Sequence, residues 1–154
     1  MTRYSYAGID VGWSGGIARI DDGWEKVRPF AVKFEGLTGR DLAYAVSNAL
    51  RSDGHHVRMV LLEKAQAFPG QGVISMFRYG EMFGMLQGIL NSLDVPWDFV
   101  RPQEWQKAMK CLTHGDKNIS KAKAQRLFPG VQMTHAIADA LLIAEFCRRK
   151  MGGK

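Results

Sequence analysis

Cysteine is scarce. Cys111 and Cys147 are the two in 154 residues, far apart and without the spacing of paired ligands. That excludes a disulfide-stapled scaffold and a cysteine zinc site, and leaves two reduced thiols. Long apolar runs are missing too. No stretch is long enough to span a bilayer, and Met-Thr-Arg-Tyr-Ser-Tyr at the start contains no hydrophobic signal segment. A cytoplasmic protein is expected. Acids thin out toward the end of the chain. Residues 101–154 hold 4 Asp+Glu against 11 Lys+Arg, while residues 1–100 hold 11 against 10. A basic final third on a near-neutral body suits a polyanionic partner such as nucleic acid. The remainder, 46% hydrophobic, is enough for one compact domain over residues 1–154.

The chain is organised around Tyr6 to Ile20, which reads as a buried strand, a glycine-rich turn and a second strand. Asp10 stands in the first strand among Ala7, Ile9 and Val11. A carboxylate there is costly unless something pairs with it, and a cation shared with other acids is one solution. The alternative is an Asp that caps the turn. Gly8 and Gly12 remove side chains around it, so a charged ligand could approach the backbone closely.

Strands are expected at 4–11, 15–20 and from Trp24 to Phe34, forming an antiparallel meander with an Asp-Asp-Gly turn. Leu37 to Leu50 has helical periodicity, ended by Ser52-Asp53-Gly54. Val57 to Leu62 reads as a core strand, with Glu63 at its carboxyl end, where open sheets bind ligands. The loop 65–72 carries Gln66 and Phe68, and with Phe77 it could lie on a nucleic acid, stacking a base.

Val73 to Leu93 reads as a long helix with an apolar stripe at Phe83, Leu86, Ile89, Leu90 and Leu93. Gly80, Gly84 and Gly88 line one face of it. Three glycines in register cost about 1 kcal/mol each and imply close packing, against a second subunit or against the chain's own sheet. Trp97 to Val100 is a short strand, and Gln103 to Met109 a helix behind Pro102. A basic loop from Lys107 to Asn118 follows, with Lys107, Lys110 and Lys117. Ser120 is expected to cap a helix bearing Lys121 and Lys123. These lysines suit phosphates without sequence preference. The last helix, from about Thr134 to Lys150, puts His135 and Asp139 on one face. They could share a divalent ion, His135 could act on a water instead, or the two could simply hydrogen-bond.

The order strand, strand, strand, helix, strand, helix, strand, helices resembles the ribonuclease H-like α/β fold: a mixed five-stranded sheet, three strands antiparallel and two parallel, flanked by helices. Gly8-Ile-Asp-Val-Gly12, Leu62-Glu63 with Gln66-Ala-Phe-Pro-Gly70, and His135-Ala-Ile-Ala-Asp139-Ala-Leu-Leu-Ile-Ala144 resemble the RuvC family of Holliday junction resolvases, especially its phage-type branch. The resemblance implies catalytic metal ligands at Asp10, Glu63 and Asp139, with His135 where relatives often place another acid nearby. It implies two Mg²⁺ or Mn²⁺ per site and a homodimer cutting opposed strands of a four-way junction. Gln66, Phe68, Phe77, Arg78, Lys107, Lys110, Lys117, Lys121 and Lys123 would then contact DNA. Two other readings stay open: a branched-DNA binding protein without catalysis, and an actin-like nucleotide binder, whose phosphate hairpin the first motif also resembles.

Overall fold

The computed structural model describes residues 2–23, 28–51, 54–64 and 66–152. Strands β1 (Arg3–Asp10), β2 (Gly16–Asp21) and β3 (Arg28–Lys33) lead into helix α1 (Gly39–Leu50). Then come β4 (His55–Glu63), α2 (Val73–Ser92), β5 (Trp97–Val100), α3 (Pro102–Ala108), α4 (Lys117–Leu127) and α5 (His135–Lys150). The sheet order is β3-β2-β1-β4-β5. The first three strands pair antiparallel, while β1–β4 and β4–β5 pair parallel. This is the expected mixed sheet. The residues before Arg28 in the expected third strand, and Ser52-Asp53 of the turn after α1, lie outside the described residues.

Period two along the central strands decides what meets what. Ala7, Ile9 and Val11 of the β1 stretch, with Val60 and Leu62 of β4, pack on α1 and α2 through Leu42, Val46, Met82, Leu86 and Leu90. Tyr6 and Leu61 point the other way, into a cluster with Trp105, Leu142 and Ile143. Asp10 follows Tyr6 and Gly8 in phase, and Glu63 follows Leu61, so both acids belong to the α5 side. The stripe of α2 centres on Met82, Leu86 and Leu90. Phe83, Ile89 and Leu93 sit beside it, half-buried.

One glycine assignment changes and another narrows. A Cβ on Gly8 would lie 2.4 Å from Ala144 N and 2.6 Å from Ala140 O. The missing side chain therefore admits α5, and the space is not open to a ligand. Gly80, Gly84 and Gly88 show the opposite: a Cβ there would meet nothing within 4 Å among the described residues. The chain's own sheet does not pack on that face.

The region after α3 also differs from expectation. Its helix begins at Lys117, behind an Asp116 N-cap whose side chain accepts from Asn118 N–H at 3.0 Å. Ser120 lies inside the helix and is buried. Asp116 comes right after Gly115 and meets the N-cap preference better than a serine four residues on. Thr134 does precede α5, but its side chain makes no capping bond. Cys111 and Cys147 are both free and buried. Among the described residues no helix is long and apolar enough to cross a membrane.

Candidate active site

Parallel pairing of β1 with β4 matches Ile9 to Leu62. The next residues on the two strands, Asp10 and Glu63, thus emerge side by side at the carboxyl end of the sheet. Helix α5 lies across this face because Gly8 lets it close, and brings Asp139 to the same place. All three acids line one cavity of about 670 Å³. The turn after β1 forms part of its wall. Gly12 has φ 124° there, and a Cβ on it would lie 3.4 Å from the Tyr79 ring of α2.

The cavity is electrostatically loaded. Asp10 is 9% exposed. Burial, then the Glu63 and Asp139 charges, hold its carboxyl well above the usual carboxylate range. Asp10 and Glu63 lie within hydrogen-bonding reach of each other, so the pair resists carrying two negative charges at once. Glu63 is pushed up to about 7, chiefly by burial and then by Asp139, while Trp105 and Lys117 favour its charged form. Burial also raises Asp139, against Ser120, Lys117 and His135. Asp139 Oδ1 is buried without a hydrogen-bond partner. Tyr79 is raised to about 12 by its own burial and by the charges of Glu63 and Asp10.

These residues offer oxygen donors only, which suits a hard divalent cation such as Mg²⁺ or Mn²⁺. The orphaned Asp139 oxygen and two crowded carboxyls beside it are what an acid cluster shows before a cation relieves it. Among the described residues no three His, Cys, Asp or Glu side chains already surround a common point. The donor set fits the ion; closing on it would require Asp10 and Glu63 to be ionised together.

The sequence-predicted residues divide. Gln66, Phe68, Arg78 and Lys117 line the acid cavity beside Asp10, Glu63 and Asp139. Phe68 is 58% exposed and Phe77, one helical turn into α2, is 68% exposed. Lys107, Lys110, Lys121 and Lys123 lie away from the cavity wall. His135, first residue of α5, is exposed and does not line the cavity. Lys64 sits over the Phe99 ring at 5.7 Å.

Sequence reasoning missed Trp105. Its Nε1 donates to Glu63 Oε2 at 2.7 Å from a fully buried indole. The signal was an apolar tryptophan on a short polar helix. It missed Tyr79 as well, whose position on α2 one residue before Gly80 gave no hint of the acids.

A mixed sheet in this strand order, covered by helices on both faces, with acids gathered at the carboxyl ends of its two central strands, is the ribonuclease H-like α/β class. No protein-family model and no curated protein matches this chain. Solved structures do. Thermus thermophilus RuvC in complex with Holliday junction substrate is similar over 97% of this chain and 96% of its own, with TM-score 0.65 and 17% identity. A further Thermus thermophilus RuvC structure gives TM-score 0.64 and 21% identity, covering 96% of each chain. The chain has the RuvC-like version of the fold along nearly its whole length.

Proposed function

We propose that the protein is a structure-selective endonuclease resolving four-way DNA junctions by metal-dependent phosphodiester hydrolysis. The observation that carries this is the convergence of Asp10, Glu63 and Asp139 from β1, β4 and α5 on one cavity. Two Mg²⁺ or Mn²⁺ ions, when bound, supply an activated water and a stabilised leaving oxygen. The products would carry 5′-phosphate and 3′-hydroxyl ends. Asp10, Glu63 and Asp139 hold the ions. His135 would act beside Asp139, as a further ligand or on a water. Lys117, whose field reaches all three acids, neutralises the incoming phosphate. Gln66 and Arg78 grip the strand, and Phe68 and Phe77 stack on bases next to it. Lys107, Lys110, Lys121 and Lys123 hold the duplex arms by their phosphates.

The open glycine face of α2 supports a homodimer. With no described residue against Gly80, Gly84 and Gly88, the same helix of a second copy can lie there. That pairing would set two sites on opposed strands. Sedimentation showing only monomer at tens of micromolar would remove it. The phage-type branch and a cytoplasmic location belong to the same reading.

A labelled four-way junction with Mg²⁺, beside linear duplex and replication-fork controls, tests the function. Paired symmetric nicks in the junction alone are expected; equal cutting of linear duplex would overturn junction selectivity. Junction binding without cleavage is the second reading. It draws on the lack, among the described residues, of three side chains already set around one point. Binding with no product at any Mg²⁺ or Mn²⁺ concentration would favour it.

A further inference from the structure

The acid cavity continues into a second recess of about 460 Å³, walled by Gln103, Gln106, Lys107, Leu112, Thr113 and His114. Gln106, Thr113 and Gly115 belong to both spaces. The chemistry changes across that boundary. Carboxylates wall the first space; the second has two amides, a hydroxyl, an imidazole, an aliphatic chain and one ammonium, with no acid. Gln103, Lys107 and His114 are exposed, and Gln106 and Thr113 half-buried, so these polar groups face solvent at the mouth of the recess. Leu112 is 40% exposed.

The turn that builds this recess is held in an unfavourable backbone. Lys110 and His114 have φ of 55° and 46°, a region that side chains disfavour. The conformation is nevertheless pinned. Cys111 N–H donates to Gln106 O at 2.8 Å, Asp116 N–H donates to Thr113 O at 2.8 Å, and the Cys111 side chain is buried. Strain kept in place by packing marks segments whose shape is used.

We propose that this recess takes a nucleobase, unstacked from the strand whose phosphodiester lies in the acid cavity; this rests on the nuclease reading above. A base edge needs donors and acceptors together, which amides and a hydroxyl supply. Its faces need flat or apolar neighbours, which His114 and Leu112 supply. A phosphate would call for several cations or a nest of backbone N–H groups, and one ammonium stands here. The volume falls in the range of small-molecule sites, about 300–1,000 Å³. The α2 side of the cavity already carries Phe68 and Arg78, so this recess serves the strand on the α3–α4 side.

The test places 2-aminopurine, which is dark when stacked, at each position within three nucleotides of the crossover in a four-way junction. The protein is the Asp10→Asn variant, expected to hold DNA uncut. One position should brighten at least threefold on binding and be shielded from acrylamide. Adding Gln103→Ala with His114→Ala should remove at least half of that shielding, read with the junction saturated by protein. A bound junction with no shielded bright base, or shielding unchanged by the double substitution, would overturn the recess alone. Failure to bind any branched DNA would overturn the nuclease reading together with it.

Discussion

Trp105 Nε1 donates to Glu63 Oε2 at 2.7 Å across 42 residues of sequence. The indole has no exposed surface, so it cannot trade this bond for water. One Glu63 oxygen is thereby fixed in place. Trp105→Phe keeps an aromatic filler and deletes the N–H. Outer partners of ligating groups are worth about 10- to 100-fold in affinity or activity, and that loss is expected in junction cleavage and in Mn²⁺ binding by calorimetry. The indole also favours ionised Glu63. The acid limb of the pH–rate profile should therefore move to higher pH in the variant. A purely structural role would lower the melting temperature and leave that limb in place.

The acid pair sets a pH dependence in the metal-free protein. Glu63 rises from 4.5 to about 7 on folding, through burial and then Asp139, and Asp10 is raised as well. A raised acid binds its proton more tightly when folded. Its contribution is complete below the unfolded value and is lost as pH climbs through the folded one. Thermal stability should fall between pH 5 and pH 8 by on the order of 2–3 kcal/mol. Mg²⁺ or Mn²⁺ should restore more of it at pH 8 than at pH 5, because the ion takes over the role of the proton. Glu63→Gln should flatten the slope. A melting profile identical in wild type and variant would contradict the assignment.

Gly8→Ala should act through α5. The added methyl would stand 2.4 Å from Ala144 N and 2.7 Å from Ile143 Cβ, too close for either backbone to keep its place. Overpacking of this kind costs about 1–3 kcal/mol. Because the same helix carries Asp139, cleavage should drop about 10-fold or more even at temperatures where the variant is folded. Differential scanning calorimetry with activity at 20 °C separates the two effects. Unchanged activity in a folded variant would mean that Asp139 tolerates the shift.

How much of this is legible in the sequence follows the range of each interaction. The strands can be read because a buried strand announces itself within six or eight residues, and Asp10 and Glu63 stand out as charges at the ends of such runs. Their meeting needs only the parallel pairing implied by the element order. Trp105 cannot be read as a partner of Glu63, since no local pattern links a tryptophan on a seven-residue helix to a strand 42 positions earlier. Gly8 looks like room for a ligand because the helix that fills the room comes near the end of the chain. Ser120 suggests a cap on residue preference alone; Asp116 wins because its carboxylate reaches Asn118 N–H. His135 shares a helix face with Asp139 by spacing, yet helix α5 starts at His135 and leaves it exposed outside the cavity.

Asp10→Asn removes one buried negative charge and one candidate ligand while keeping the shape. Cleavage should fall by at least about 1,000-fold, since a hard cation loses its central carboxylate. Junction affinity should hold or improve, because one negative charge leaves a cavity that must receive a phosphate. Lys117 provides the counter-test from the other sign. It lines the cavity, whereas Lys121 and Lys123 stand away from its wall on α4. Lys121→Ala with Lys123→Ala should weaken binding and reduce the salt slope by about one for each phosphate no longer neutralised, leaving the cleavage rate of bound junction intact. Lys117→Ala should do both: lower the slope and slow cleavage of DNA already bound. Filter binding across a salt series, paired with single-turnover cleavage, reads the two quantities apart. If all three lysines changed the slope equally and none changed the single-turnover rate, Lys117 would be one more phosphate-binding group and the cavity would work through its acids alone.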